Sequence, residues 1–78
     1  MEREYLFTLR NRRSSNPEVA RDIRVYRVEG GFFFDYTLGN GTQLQQVTRS
    51  SSGDPHKAFA SFLFGFQGVS PEDYDQED

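Results

Sequence analysis

The segment from residue 32 to residue 38 constrains the fold more than any other part of this sequence. Large apolar side chains recur there at every second position, and that period of two predicts a β-strand with one fully apolar face. A chain of 78 residues without cysteine cannot be stabilised by disulfide bonds, so its stability must come from a core of packed side chains. The aromatic face of this strand is expected to be buried in that core. The apolar face carries Phe32, Phe34, Tyr36 and Leu38, and the other face carries Phe33, Asp35 and Thr37.

Two segments before this strand are also predicted to be extended. Residues 4–10 alternate with the same period of two, and Tyr5, Phe7 and Leu9 share one face. Residues 19–28 are rich in β-branched and aromatic side chains, which favour a strand. The polar stretch between the two segments contains one proline and several serines and asparagines, so it is predicted to be a loop.

Glycine-containing turns are predicted to connect the later strands. Gly30-Gly31 supplies the positive φ angles that a tight hairpin needs. Asn40-Gly41 is a common signature of a type I′ turn. Residues 43–49 follow, and their weaker alternation predicts an edge strand with a bulge near Gln45-Gln46.

After Gly53 the periodicity changes from that of a strand to that of a helix. Asp54 suits the N-cap and Pro55 the first helical position, and four apolar residues then follow at helical spacing, which predicts a helix over residues 55–67. The predicted fold class is α+β: an antiparallel β-meander of about four strands followed by one C-terminal helix packed on one face. This β-β-β-β-α unit is expected to form a single compact domain at residues 1–69. The helical stripe comprises Phe59, Phe62, Leu63 and Phe66.

The net charge of −3 is unevenly distributed along the chain. Five of the 12 acidic residues lie after Pro71, and the remaining seven against nine basic residues leave the body at about +2. Because the acidic end lacks apolar periodicity, residues 70–78 are predicted to form a disordered tail. This tail would either keep the protein soluble or contact a basic partner through Glu72, Asp73 and Asp75.

The residue types that catalysis requires are not grouped in this sequence. His56 lies near Asp54 and the run Ser50–Ser52, but a catalytic triad needs members fixed by separate rigid elements. We therefore expect His56 to be an exposed residue of the first helical turn. One histidine without cysteine provides too few zinc ligands, and no glycine-rich turn leads into a helix as a phosphate site requires. The sequence thus predicts no enzyme activity, no metal and no cofactor.

Arginines are concentrated in the first two predicted strands and in the loop between them. If these strands pair, the arginines form a basic strip with Tyr26 among them, as in proteins that bind single-stranded nucleic acid. A body charge of about +2 is small for a dedicated nucleic-acid binder, so a solvated face or a protein contact fits better. The candidate residues are Arg10, Arg12, Arg13, Arg24 and Arg27.

A second aromatic sheet face is the candidate site that we favour. A sheet covered by one helix has one face left free, and we expect Leu6, Phe33 and either Tyr26 or Val25 to be exposed there. Phe33 and Tyr26 are the aromatic anchors that we favour for a partner contact. Exposed apolar patches mark partner contacts or self-association, so a homodimer is an alternative. Acidic residues such as Glu29 and Asp35 would engage basic groups of the partner.

The leading hypothesis is a small non-catalytic protein-binding module. Small size, mixed charge and an acidic tail are typical of phage or mobile-element inhibitors of host defence. Anti-CRISPR proteins, which occupy the nucleic-acid-binding surface of a basic nucleoprotein complex, are the first example by analogy. The alternative is a small nucleic-acid-binding accessory protein that uses the arginine strip. The charged start of the chain and the lack of a long apolar stretch predict no membrane contact and a cytoplasmic location, in the host if phage-encoded.

Overall fold

A computed structural model describes residues 2–50 and 53–77 of the chain. These residues form an α+β structure with one antiparallel sheet and one α-helix, as the sequence predicts. A short 3-10 helix precedes the last strand. In chain order the elements are β1 (Glu4–Asn11), β2 (Ala20–Val28), β3 (Gly31–Leu38), β4 (Gln43–Arg49), α1 (Pro55–Leu63), the 3-10 helix (Pro71–Asp73) and β5 (Tyr74–Glu77).

The sheet has the strand order β4-β3-β2-β1-β5, and every neighbouring pair is antiparallel. Strands β1 to β4 form the predicted meander, in which each strand pairs with the next along the chain. The fifth strand returns to pair with β1 on the side away from β2. The two edges of the sheet are therefore β4 and β5, and β1 lies inside it.

The acidic end of the chain is ordered, which corrects the disorder expected for residues 70–78. Tyr74 explains the difference, because its ring is only 7% exposed and meets the Phe59 ring edge-on at 5.2 Å between centroids. Its hydroxyl also donates a hydrogen bond of 2.6 Å to the carbonyl oxygen of Ala20. One buried aromatic residue thus anchors a short acidic strand, whose backbone pairs with an otherwise open edge of β1. Asp78 lies outside the described residues.

The buried core contains side chains from β1, β2, β3, α1 and β5. Phe62 of α1 connects the helix to β3, since its ring stacks on Phe34 at 4.7 Å and meets Tyr36 edge-on at 4.9 Å. Both arrangements are favourable for aromatic rings. The largest side chains that are almost wholly buried are Phe32, Phe34, Ile23 and Val25.

The helix begins as predicted but ends early. Asp54 is the N-cap, and its side chain accepts a hydrogen bond from the backbone of His56. The helix ends at Leu63 rather than Gln67, because the next two backbone N–H groups bond three residues back and Gly65 favours such a turn. Phe64 falls outside the apolar stripe and is 89% exposed. Among the described residues, no helix is long and apolar enough to cross a membrane.

The β3–β4 hairpin differs from the prediction in two details. Its register runs without a shift, so the bulge expected near Gln45-Gln46 is absent, and Leu44 and Val47 lie on opposite faces of an exposed edge strand. In the turn, Gly41 has a φ of 91° while no described residue other than glycine has a positive φ. A type I′ turn needs positive φ at Asn40 as well, so the connection is instead a loop with one left-handed glycine.

Candidate functional site

Strand register arranges one face of the sheet into three rows of side chains. Residues paired directly across antiparallel strands point to the same face. Tyr26 pairs with Tyr5 on one side and with Phe33 on the other, and Phe33 pairs with Val47. We call this line the aromatic row and the whole surface the three-row face. A register shift in β1 just after Tyr5 turns this residue to the face opposite Phe7 and Leu9, so the prediction that the three share one face is wrong for Tyr5. The middle row contains Glu77, Thr8, Arg24, Asp35 and Gln45, and the charged row contains Asp75, Arg10, Asp22, Thr37 and Gln43.

The aromatic row is held together by edge-on ring contacts. The Tyr26 ring lies 5.7 Å from the Tyr5 ring and 5.8 Å from the Phe33 ring, with interplanar angles of 67° and 68°. Tyr5 and Val47, at the two ends of the row, are 46% and 50% exposed. The row therefore offers accessible apolar surface at its ends and a packed aromatic centre.

Phe33 is not exposed, which corrects the sequence expectation for this residue. It lies on the expected face beside Tyr26, but only 7% of its surface is accessible. Arg3 covers it, because the guanidinium carbon of Arg3 lies 4.5 Å from the Phe33 ring centroid and 5.6 Å from that of Tyr26. A cation over a ring face is an attractive arrangement.

The charged row and its neighbours form an ion-pair network that includes the acidic end of the chain. Arg10 Nε lies 2.7 Å from Asp22 Oδ1, and Arg10 Nη1 lies 3.1 Å from Glu77 Oε2. The hydrogen bond that Arg10 donates to Asp22, together with the charges of Glu77 and Asp22, raises the pKa of Arg10. Arg12 pairs with the same Glu77 and lies 3.8 Å from Asp75. Asp75, which was predicted to meet a basic partner, thus lies beside one of the protein's own arginines.

The predicted arginine strip is divided between the two sheet faces. Arg24 lies on the three-row face, and its Nη2 is 3.4 Å from Oδ2 of Asp35. Arg27 pairs across the strands with Phe32 and so points to the other face, where its guanidinium carbon lies 5.2 Å from that ring's centroid. The predicted pairing of β1 with β2 is confirmed. The predicted continuous basic strip is wrong, because a strand alternates its side chains between two faces.

Four other candidates lie away from the three rows. Arg13 is exposed in the first loop, where its backbone N–H donates to Asn11 Oδ1 at 2.8 Å. Glu29 is exposed in the β2–β3 turn. Glu72 and Asp73 belong to the 3-10 helix, and Oδ2 of Asp73 accepts from the Ser70 backbone at 3.0 Å. Of the predicted tail residues, the structure brings Asp75 to the three-row face.

His56 occupies the first turn of α1 and is exposed, as expected. Its ring stacks on Phe7 at 4.9 Å, and its Nε2 lies 3.3 Å from Oε1 of Gln76. Of the three serines considered for a triad, Ser51 and Ser52 lie outside the described residues. Among residues 2–50 and 53–77, no cluster of histidine and acidic side chains is suited to a metal ion.

Sequence reasoning missed Arg3, Asp22 and Glu77. Asp75 and Glu77 alternate with Tyr74 and Gln76, and this period of two was a signal for a strand with one acidic face. The contact of Arg3 with the rings had no comparable local signal, because it depends on the pairing of β1, β2 and β3.

Comparison with models of known protein families, with curated proteins and with solved structures finds no match to this chain.

Proposed function

We propose that this protein is a non-catalytic protein-binding module that contacts its partner through the three-row face. The observation that carries the proposal is the placement of an aromatic row beside two rows of paired charges on one continuous sheet surface. In this proposal, α1 covers the opposite face of the sheet. The ring contacts of Phe62 with Phe34 and Tyr36 support that arrangement.

The composition of the face suits a partner contact. Tyrosine and arginine are the residue types enriched at interface positions that contribute most to affinity, and polar groups typically surround them. Tyr5 and Val47 offer accessible apolar surface, and Arg10 keeps 45% of its side chain exposed despite its ion pairs. Exposed ion pairs stabilise a fold little, so these arginines and acids can exchange partners at low free-energy cost.

We further propose that the partner is a larger complex with a basic surface, such as a nucleoprotein complex, which this protein inhibits in the manner of an anti-CRISPR protein. The carboxylates on the three-row face support this proposal. Asp35, Asp75 and Glu77 form a partly exposed acidic series that already binds guanidinium groups within the chain. Basic side chains of a partner would compete for the same carboxylates and fix the orientation of the complex.

A capture experiment with matched variants tests the proposed face. The double variant Tyr5→Asp and Val47→Asp alters two exposed ends of the aromatic row, so its fold should persist. We expect this variant to recover at least about tenfold less of the partner from a host lysate, as for loss of a well-packed interface anchor. The matched control, Phe64→Asp, changes a more exposed apolar residue outside the sheet and should capture normally. Loss of capture in the control and not in the double variant would place the contact elsewhere.

The nucleic-acid alternative has weaker support from the described contacts. Arg10, Arg12 and Arg24 each pair with a carboxylate, and Arg27 points to the other sheet face. Titration with single-stranded and duplex oligonucleotides at low and high salt separates the two functions. Binding that weakens steeply with salt would favour the nucleic-acid function, and absence of binding at low salt is the result that our proposal predicts.

A further inference from the structure

The contact between Arg3 and the aromatic row has the geometry of a cation-binding site. The guanidinium of Arg3 lies over the rings of Phe33 and Tyr26, with its central carbon 4.5 Å and 5.6 Å from their centroids. The Tyr5 ring adjoins Tyr26 at 5.7 Å and extends the aromatic surface. Ring faces attract cations, and arginine is the cation most often found on them in proteins.

Arg3 is held in this position by few contacts. It is exposed and precedes β1, which begins at Glu4. Within residues 2–50 and 53–77, no ion pair joins Arg3 to a carboxylate, whereas Arg10 and Arg12 each have two. The ring contacts of an exposed cation are weak. A second guanidinium that reaches the rings can therefore displace Arg3.

The surroundings of Arg3 favour a cation. Glu2, Glu4 and Glu29 line one open hollow together with Arg3 and Arg27, so three carboxylates accompany two guanidinium groups. Glu4 lies 3.8 Å from Arg27, which leaves Glu2 and Glu29 as acids without an ion pair among the described residues. These two carboxylates would attract an incoming basic side chain to the edge of the aromatic row.

We propose that Tyr26 and Phe33 form a guanidinium-binding site for an arginine side chain on the surface of a partner protein, and that Arg3 occupies this site until the partner arrives. The inference rests on the proposed function and names the chemistry that the aromatic row recognises. Displacement of Arg3 exposes the Phe33 ring, which is otherwise covered. The partner's arginine then takes the position over the two rings that Arg3 occupied.

Nuclear magnetic resonance with short peptides tests the site directly. The probe is the blocked tripeptide Gly-Arg-Gly, and the matched peptides carry lysine or the uncharged analogue citrulline in its place. We expect the arginine peptide to shift the ring signals of Tyr26 and Phe33 most and the citrulline peptide least. The variant Arg3→Ala should bind the arginine peptide about two- to fivefold more tightly, because the site is no longer partly occupied. Arg13→Ala, which changes an exposed arginine of the first loop, should leave the affinity unchanged.

Two results would overturn the site. The first is equal binding of the arginine and citrulline peptides. The second is an unchanged or weaker affinity for the arginine peptide in the Arg3→Ala variant, provided that its amide spectrum shows a folded protein. Stronger shifts of the same rings by a single-stranded oligonucleotide would also reject an arginine ligand in favour of nucleic acid. The variant Tyr26→Leu keeps an apolar side chain but removes one of the two ring faces, so it should weaken the preference for arginine while remaining folded.

This test and the capture experiment fail in different ways. Peptide binding at the rings without capture of any partner through the three-row face would refute the proposed function and leave the guanidinium site intact. Capture that depends on Tyr5 and Val47 but is indifferent to Arg3→Ala, with no peptide binding, would refute the site alone.

Discussion

At the scale of single residues, Tyr74 shows how one side chain determines the state of a whole segment. Its neighbours in sequence are acidic, yet its ring is buried against Phe59 and its hydroxyl donates to the carbonyl of Ala20. Burial raises the pKa of the Tyr74 hydroxyl, the neighbouring Asn11 side chain opposes this, and the nearby charge of Asp73 adds to it. The neutral phenol is therefore the form that the folded protein stabilises.

The pH dependence of stability follows from this raised pKa. An unfolded tyrosine titrates near pH 10, so the contribution of Tyr74 is complete below about pH 10 and is lost as the pH rises through the higher pKa of the folded state. Burial also raises the pKa of Tyr36, which acts in the same direction. Tyr74→Phe should lower the free energy of unfolding by about 1 kcal/mol at pH 7, because the bond to Ala20 is lost.

Urea unfolding at pH 7 and above pH 10 measures both effects. The loss of stability between the two pH values should be smaller in Tyr74→Phe than in the unaltered protein, since the variant has one fewer buried phenol to ionise. Tyr5→Phe is the matched control, because its ring is 46% exposed. An equally steep alkaline loss in Tyr74→Phe would show that this hydroxyl does not titrate in a buried setting.

At the scale of elements, local pattern and long-range pairing account for different parts of the structure. The strands β1 to β4 and the start of α1 were predictable, because alternation and the Asp54-Pro55 capping pair are properties of neighbouring residues. The end of α1 was not, since Phe66 remains partly buried against the core although the helix stops at Leu63. The fifth strand was missed because its stability comes from a ring contact with Phe59 and pairing with β1, both distant in sequence.

The same division applies to the candidate site. The sequence placed Phe33 on the candidate face but left open whether Tyr26 or Val25 joins it, because the alternation of residues 19–28 does not show which side is inward. It did not place Asp75 beside Arg10, since that pairing depends on the position of β5. Nor did it reveal that Arg3 covers Phe33, which requires three strands in register.

Removal of β5 tests how much this strand contributes to the stability of the fold. A chain truncated after Asp73 loses the Tyr74 ring from the core and leaves the β1 edge unpaired. We expect the free energy of unfolding to fall by at least about 2 kcal/mol, the typical value for exposing one buried aromatic side chain. The truncated chain should also self-associate more readily, because an open strand edge is a template for pairing.

The matched control for the truncation is the double variant Asp75→Asn and Glu77→Gln, which keeps Tyr74 and the strand but removes its charges. Because these ion pairs are exposed, the control should lose less than about 1 kcal/mol. Thermal unfolding and size-exclusion chromatography report both properties. A truncated chain that is as stable as the unaltered one and self-associates no more would mean that the acidic end does not contribute to the sheet.

At the scale of the whole molecule, the sheet separates the buried core from the three-row face, which we propose as the recognition surface. The core connects β1, β2 and β3 with α1 and β5 through buried aromatic rings. The three-row face carries edge-on rings and exposed ion pairs that contribute little to stability. Acidic and basic groups of the chain meet on that face, so the net charge of −3 says little about the partner. The arrangement of the rows is the informative feature.

Site-specific photo-crosslinking in a host lysate tests most directly that the three-row face is the surface that binds a partner. A photoreactive residue replaces exposed Gln45 in the middle row or, as the control, exposed Lys57 on α1. The account predicts a discrete crosslinked protein from position 45, suppressed by excess unlabelled protein, and none from position 57. A competed crosslink from position 57 with none from position 45 would contradict it.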